Sequence, residues 1–309
     1  MRLLLQFPEG LKQQALAYAK KLEKDGNEVF VSASPTFGAC DLALDEARSI
    51  HADKLVHFGH AEFQHVDFNI EYVEYRVDAP LAILEDSLHM IKDARRIGLV
   101  TTIQHVHQLE DIKKFYERNG KTVLIGKPYG FAKARGQILG CDVGSAATID
   151  REVDAFVYFG GGMFHPLGAL LNTTKPFLVV EPFANKVEFI DGYRSVYTGR
   201  SRGKVLKALD ATRFGILLTT KNGQHNGNLA SILKRRIEME GLTACILTAN
   251  TFDFTSLENM REFDAFVNTA CPRIAVDDTD RVSKPLISAN ELMEVLRMKK
   301  ELASMRAKG

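Results

Sequence analysis

One order of elements occurs three times along this chain: a short apolar run, a helical pattern closed by a turn, a second apolar run, a loop and a third apolar run. In the first copy Leu3 to Phe7 reads as a strand. A helix follows from about Leu11 to Lys24, with apolar residues at Leu11, Ala15, Leu16, Ala19 and Leu22 and a stop at Asp25-Gly26. Glu28 to Ser32 is the second strand, a Pro35/Gly38 loop leads to a helix around Asp41 to Ile50, and Lys54 to Phe58 is the third strand. The second copy runs Ile97 to Thr101, Gln108 to Arg118, Asn119-Gly120, Thr122 to Gly126 and Ala155 to Phe159. The third runs Phe214 to Thr219, Leu229 to Glu240, Gly241, Thr243 to Leu247 and Ala265 to Asn268.

Strands that alternate with helices demand right-handed crossovers and parallel pairing. Repeats of roughly 100 residues exceed the periods of solenoids, so each copy is a small domain in its own right. The expected fold is therefore α/β: three pseudo-repeated domains, each a small parallel sheet with flanking helices, around a central cleft. Boundaries fall in the charged stretches Lys92 to Arg96 and Arg200 to Lys207, giving domains 1–92, 93–205 and 206–309, the last with a C-terminal helix. Pro176 to Arg202 is an insertion-like link without a clear turn pattern. In sheets of this kind ligands bind beyond the carboxyl ends of the strands. Three copies could point three such edges at one cleft.

Charge excludes some functions. Forty basic and 39 acidic side chains leave a formal charge of +1, against the basic excess of a broad nucleic-acid surface, so no direct nucleic-acid partner is expected. No run approaches the roughly 18 apolar residues of a membrane span, and Met1 to Phe7 meets Pro8-Glu9-Gly10 without a signal-peptide core. A cytoplasmic protein with no membrane partner is expected. Four scattered cysteines form no disulfide framework.

Their placement is the informative feature. Cys40 follows the second strand of copy one, Cys141 lies in the corresponding segment of copy two after a longer loop, and Cys271 directly follows the third strand of copy three. Each has glycine or a small residue just before it, and Cys40 and Cys141 are followed by Asp, a sequence suited to a tight loop opening a helix. A helix N-terminus favours thiolate, the metal-binding form. Cysteine is also often a small buried hydrophobe, the reading kept for Cys245 inside the strand Thr243 to Leu247. Three thiolates meeting in one cleft would suit an iron-sulfur cluster with one iron lacking a protein ligand. Zinc fits less well without a C-x2-C pair.

The stretches Leu5-Gln6-Phe7-Pro8-Glu9-Gly10-Leu11, Gly38-Ala39-Cys40, Phe58-Gly59-His60, Thr101-Thr102-Ile103-Gln104, Gly136-Gln137-Ile138-Leu139-Gly140-Cys141, Phe159-Gly160-Gly161-Gly162-Met163-Phe164-His165 and Cys271-Pro272-Arg273 cover all three copies. In them the chain resembles the first-step enzymes of diphthamide biosynthesis, in their archaeal homodimeric form. It departs at Thr220-Lys221-Asn222-Gly223-Gln224-His225, where relatives tend toward a Gly-Arg-Gln-like turn. The resemblance implies a 4Fe-4S cluster on Cys40, Cys141 and Cys271, without the clustered C-x3-C-x2-C of ordinary radical S-adenosylmethionine enzymes. It implies cleavage of the bond between the sulfur and the methionine γ carbon of S-adenosylmethionine. The 3-amino-3-carboxypropyl group then goes to the imidazole C2 of a histidine of elongation factor 2, and methylthioadenosine is released. An external one-electron reductant and a homodimer are further implied. Quinolinate synthase, also three α/β repeats with one cluster cysteine each, is the nearest alternative. A ligand-binding module with inert cysteines is another.

Cofactor contacts are expected at Gln6, Gln104 and Gln224, which sit at or just after the first strand of each copy, at Gly160 and Gly161, and at Arg273. An amide at a strand end can bond S-adenosylmethionine or tie the loop to its helix. The triple glycine is no G-x-G-x-x-G, and Gly223 to Asn228 is no P-loop. His57 is expected in the core or lining the cleft, and His60 and His165, after third strands, lining it. His105 and His107 share a face only if their segment is extended. Ser288 and Glu291 form the capping box of the last helix.

Overall fold

A computed structural model describes residues 1–277 and 281–306. The first copy comprises β1 (Arg2–Gln6), α1 (Ala15–Lys24), β2 (Glu28–Val31), α2 (Leu44–Ser49), β3 (Lys54–Phe58) and β4 (Ile70–Val73), and the helix that follows, α3 (Leu84–Met90), packs on the second sheet. The second comprises β5 (Arg96–Thr101), α4 (Leu109–Arg118), β6 (Thr122–Leu124), α5 (Gly144–Ala147), β7 (Ala155–Phe159), α6 (Phe164–Asn172), β8 (Phe177–Glu181) and β9 (Lys186–Phe189). Helix α7 (Gly192–Ala208) leads to the third: β10 (Arg213–Thr219), α8 (Gly227–Met239), β11 (Thr243–Ala249), α9 (Phe254–Asn259), β12 (Ala265–Asn268), α10 (Ile274–Asp277), β13 (Leu286–Ser288) and α11 (Ala289–Arg306). The chain forms two compact units, Met1–Tyr193 and Arg194–Gly309.

Among the described residues the strands make three sheets, ordered β2-β1-β3-β4, β6-β5-β7-β8-β9 and β11-β10-β12-β13. The first three strands of each sheet in chain order are those the repeat predicts, in the same parallel order. A fourth strand, β4, β8 or β13, extends each sheet beyond the expected three. These runs are three to five residues long, too short for periodicity to separate them from loop. The expectation of purely parallel sheets is corrected in the second. There β9 turns back antiparallel on β8, through a turn in which Asn185 has φ 50°. The stretch Arg200 to Lys207, expected as a connector, lies inside α7.

Helices form where one face can be buried. In α1 the buried residues are Ala15 and Ala19, whereas Leu16 is 65% exposed, one helical step off that face. Residues 9–14 form a 3-10 turn rather than the start of the α-helix. The central strands β5 and β7 are buried along nearly their whole length, as parallel strands covered on both faces require. Tyr116, Phe159, Leu99 and Leu178 pack in the core of the second sheet, and Phe214, Ile216, Val267 and Leu296 in that of the third. Each fully buried aliphatic or phenyl side chain contributes about 1.5–3 kcal/mol. The predicted capping box is present: Ser288 N donates to Glu291 Oε2 at 2.7 Å and Glu291 N to Ser288 Oγ at 3.3 Å. No described helix is long and apolar enough to cross a membrane.

Candidate functional site

The loops that carry chemistry-bearing side chains begin at the carboxyl ends of the parallel strands. In the first sheet, Cys40 lies between β2 and α2 and is partly exposed. Gln6, the last residue of β1, is buried beneath this loop. Its Nε2 donates to the carbonyl of Asp41 at 2.6 Å and to Thr36 Oγ1 at 3.3 Å; its Oε1 accepts from Ala43 N at 3.1 Å. The backbone partners fix which end of the amide is oxygen. His57 Nδ1, 2.9 Å from that oxygen, therefore carries a proton. His57 Nε2 in turn accepts from His60 Nδ1 at 3.0 Å. His60 Nε2 and the Cys40 sulfur both face the position that a Cβ on Gly38 would take, at 3.9 and 3.6 Å. Burial, together with the charge His60 would carry, pushes the His57 pKa down to about 3, and burial lowers that of His60 to about 4.

The Cys141 loop runs from the end of β6 to α5, and Cys141 is exposed. Its middle is stitched to the end of β5, with Thr101 N donating to Gly136 O at 2.9 Å and Ile138 N to Thr101 O at 2.9 Å. Buried Asp142 accepts three backbone N–H groups: Phe131 at 2.6 Å and Ala132 at 2.9 Å on Oδ2, and Gly144 at 3.0 Å on Oδ1. Buried Gln137 accepts from Lys133 N at 2.8 Å and Ala134 N at 3.0 Å. Two glycines let α6 approach: a Cβ on Gly168 would stand 2.5 Å from Gly140 O, and one on Gly140 2.2 Å from the Phe164 ring. Phe63, after β3, stacks on Phe131 with centroids 4.0 Å apart, joining this loop to the first sheet.

In the third sheet Cys271 is partly exposed, three residues past the end of β12. Asn268, the last residue of β12, is buried and spans the loop: Nδ2 donates to Cys271 O at 2.8 Å and Oδ1 accepts from Ala270 N at 3.1 Å. Cys245 corrects an expectation. It is exposed, on β11, the edge strand of its sheet.

The other expected site residues divide by environment. Gln104 is exposed beyond β5, and Gly161 is exposed beyond β7. Gly160 is buried with φ 149°, and a Cβ there would meet Tyr158 Oη at 3.0 Å. Gly162 N donates to Glu181 Oε1 at 3.1 Å, which pins this turn to the end of β8. In the second unit Gln224 is half-buried and Arg273 buried. His165 is half-buried at the start of α6. His105 and His107 take separate partners, Val77 O at 3.0 Å and Asp78 Oδ1 at 2.8 Å. Among the described residues no three His, Cys, Asp or Glu side chains gather closely enough to hold a single metal ion.

Asn268 and Gln137 stand in no expected site. The signal for Asn268 was available by analogy, since like Gln6 it ends a strand that pairs at the middle of its sheet, ahead of a cysteine loop or its neighbour.

Comparison with known proteins accords with this arrangement. The family of diphthamide synthesis proteins matches residues 7–305. The chain is 32% identical over 305 residues to 2-(3-amino-3-carboxypropyl)histidine synthase of Pyrococcus horikoshii, an alignment covering 97% of this chain and 87% of that protein. Subunit 1 of the human 2-(3-amino-3-carboxypropyl)histidine synthase is 29% identical, over 96% of this chain and 68% of its own. The crystal structure of Dph2 from Pyrococcus horikoshii with a 4Fe-4S cluster superposes with a TM-score of 0.89 at 31% identity, covering 96% of this chain and 86% of the other. With a sequence match that runs through all three sheets and a backbone that follows the same course, the chain belongs to the diphthamide synthesis family.

Proposed function

We propose that this protein transfers the 3-amino-3-carboxypropyl group of S-adenosylmethionine to the imidazole C2 of a histidine in elongation factor 2, the first step of diphthamide formation. Cys40, Cys141 and Cys271 each give one thiolate to a 4Fe-4S cluster in this reading. The observation that carries it is that each of the three sheets presents one cysteine on a loop beyond the carboxyl end of a parallel strand, with its sulfur-bearing residue partly or fully exposed. The donor set fits the group, because iron-sulfur clusters are held by thiolates. When bound, the cluster supplies the electron that opens the sulfur to γ-carbon bond.

The chain's own residues do the rest by position. Gln6, Asp142 and Asn268 hold the cysteine loops by hydrogen bonds to their backbone. Gln104 and Gly161, exposed beyond β5 and β7, are the groups of the first unit left to contact the cosubstrate. Gln6 is excluded from that task, since its amide already serves Thr36, Asp41, Ala43 and His57. Gln224 and Arg273 are the corresponding groups of the second unit. Phe37, 65% exposed three residues before Cys40, and Tyr129, 72% exposed in the Cys141 loop, offer rings for stacking on an adenine or a protein loop. A homodimer and an external one-electron reductant complete the reading.

Anaerobically reconstituted protein, dithionite, S-adenosylmethionine labelled in the aminocarboxypropyl group and elongation factor 2 test it. Methylthioadenosine and a labelled factor are expected, with no label on a factor whose acceptor histidine is replaced. Release of 5'-deoxyadenosine, or equal labelling of both factors, overturns it.

A further inference from the structure

Two of the three cysteine loops share a device that the reaction itself does not call for. Each is spanned by one buried, uncharged amide at the end of a strand, and in each that amide both donates to and accepts from the loop backbone. Gln6 gives Nε2–H to the carbonyl of Asp41 and takes the N–H of Ala43, one and three residues beyond Cys40. Asn268 gives Nδ2–H to the carbonyl of Cys271 itself and takes the N–H of Ala270 just before it. The loops differ in length and follow different strands of their sheets, β2 in one and β12 in the other. The common feature is the two-way bond.

An amide is the side chain this job requires. A hydroxyl is too short to reach two backbone groups on either side of a cysteine, and a carboxylate accepts but cannot donate. Both amides are almost fully buried, at 2% and 5% exposure, so water cannot replace a lost partner. In the Cys141 loop the Asp142 carboxylate accepts from backbone N–H groups, as the Asp41 carboxylate does from Phe37 N in the Cys40 loop, and the buried amide of Gln137 accepts from Lys133 N and Ala134 N.

We infer that Gln6 and Asn268 are positioning residues, which set the Cys40 and Cys271 loops in their ligating conformation before any cluster is bound. The inference rests on the cluster assignment proposed above for what the loops hold, though not for how they are held. Preorganised loops lose little freedom when iron binds, and partners of this kind around metal ligands commonly change affinity 10–100-fold when removed.

The variants are Gln6→Glu and Asn268→Asp, each close in shape and each lacking the donor. In cluster-free protein, the alkylation rate of each cysteine by iodoacetamide is read by peptide mass spectrometry. Gln6→Glu should change the rate at Cys40 severalfold and leave Cys271 as in the unaltered protein. Asn268→Asp should do the reverse. General loss of stability would move both sites together, so this crossed pattern separates positioning from folding. In reconstituted protein each variant should lose iron to a chelator about tenfold faster. Unchanged rates at the paired cysteine, equal changes at both cysteines, or a variant that does not fold overturn the inference. An unaltered protein that takes up no iron or sulfide, while the crossed alkylation pattern holds, defeats the cluster assignment and leaves the positioning role standing.

Discussion

His57 Nδ1 lies 2.9 Å from Gln6 Oε1, and this single contact ties the buried end of β3 to the amide that braces the Cys40 loop. Because Gln6 meets a backbone carbonyl with one end and a backbone N–H with the other, its orientation leaves His57 only one neutral tautomer. The proton on Nδ1 makes Nε2 an acceptor for His60, and the order of donors continues toward the cysteine loop.

Single replacements Cys40→Ala, Cys141→Ala and Cys271→Ala should each deplete iron and sulfide after anaerobic reconstitution, whereas Cys245→Ala should leave both at the level of the unaltered protein. Cys245 sits exposed within an edge strand, outside the strand-end loops. Iron and sulfide analysis checks this, and equal content in all four variants refutes it.

His57 makes the cluster-free protein acid-sensitive. Its folded pKa is pushed down to about 3 by burial and by His60, against about 6.5 in an unfolded chain. Below pH 6.5 the unfolded state therefore binds a proton that the folded state refuses. The stability present above pH 6.5 falls progressively as the pH drops toward the folded value. Thermal midpoints measured between pH 7.5 and 5 should decline less steeply in His57→Gln, and identical slopes would contradict the assignment.

Gly168→Ala should displace the Cys141 loop. The new Cβ would lie 2.5 Å from Gly140 O, and neither group is the end of a flexible side chain. The overpacking costs about 1–3 kcal/mol. Urea unfolding should show that loss, and the loaded protein should hold less iron.

Tyr116 and Ser87 predict an asymmetric pair. The phenol oxygen lies 2.7 Å from Ser87 Oγ in the core of the second sheet, and the serine also donates to Leu84 O at 2.5 Å. Tyr116→Phe removes one hydrogen bond and leaves the serine its carbonyl, costing about 1 kcal/mol. Ser87→Ala strands a buried phenol and should cost more, about 1–3 kcal/mol. Denaturant midpoints that rank the other way would refute this account.

Local pattern alone determined much of this protein. The repeated order of strand, helix and glycine stop located the first three strands of all three sheets, because alternation and helical spacing are properties of neighbours in the chain. The same locality made the capping box of α11 and the strand-end setting of Cys40, Cys141 and Cys271 legible. Tertiary structure decided what depends on distant residues. Gln6 could have faced a ligand or a loop, and strand order settled it by bringing Asp41, Ala43 and His57 around its amide from 35 to 51 residues away. Cys245 looks like a core residue in its apolar run, yet β11 is the edge strand of its sheet and leaves Cys245 exposed while Leu247, two residues on, packs against the core. The nearness of α6 to the Cys141 loop depends on Gly140 and Gly168 meeting without side chains, a contact between residues 28 apart that neither propensity nor periodicity encodes.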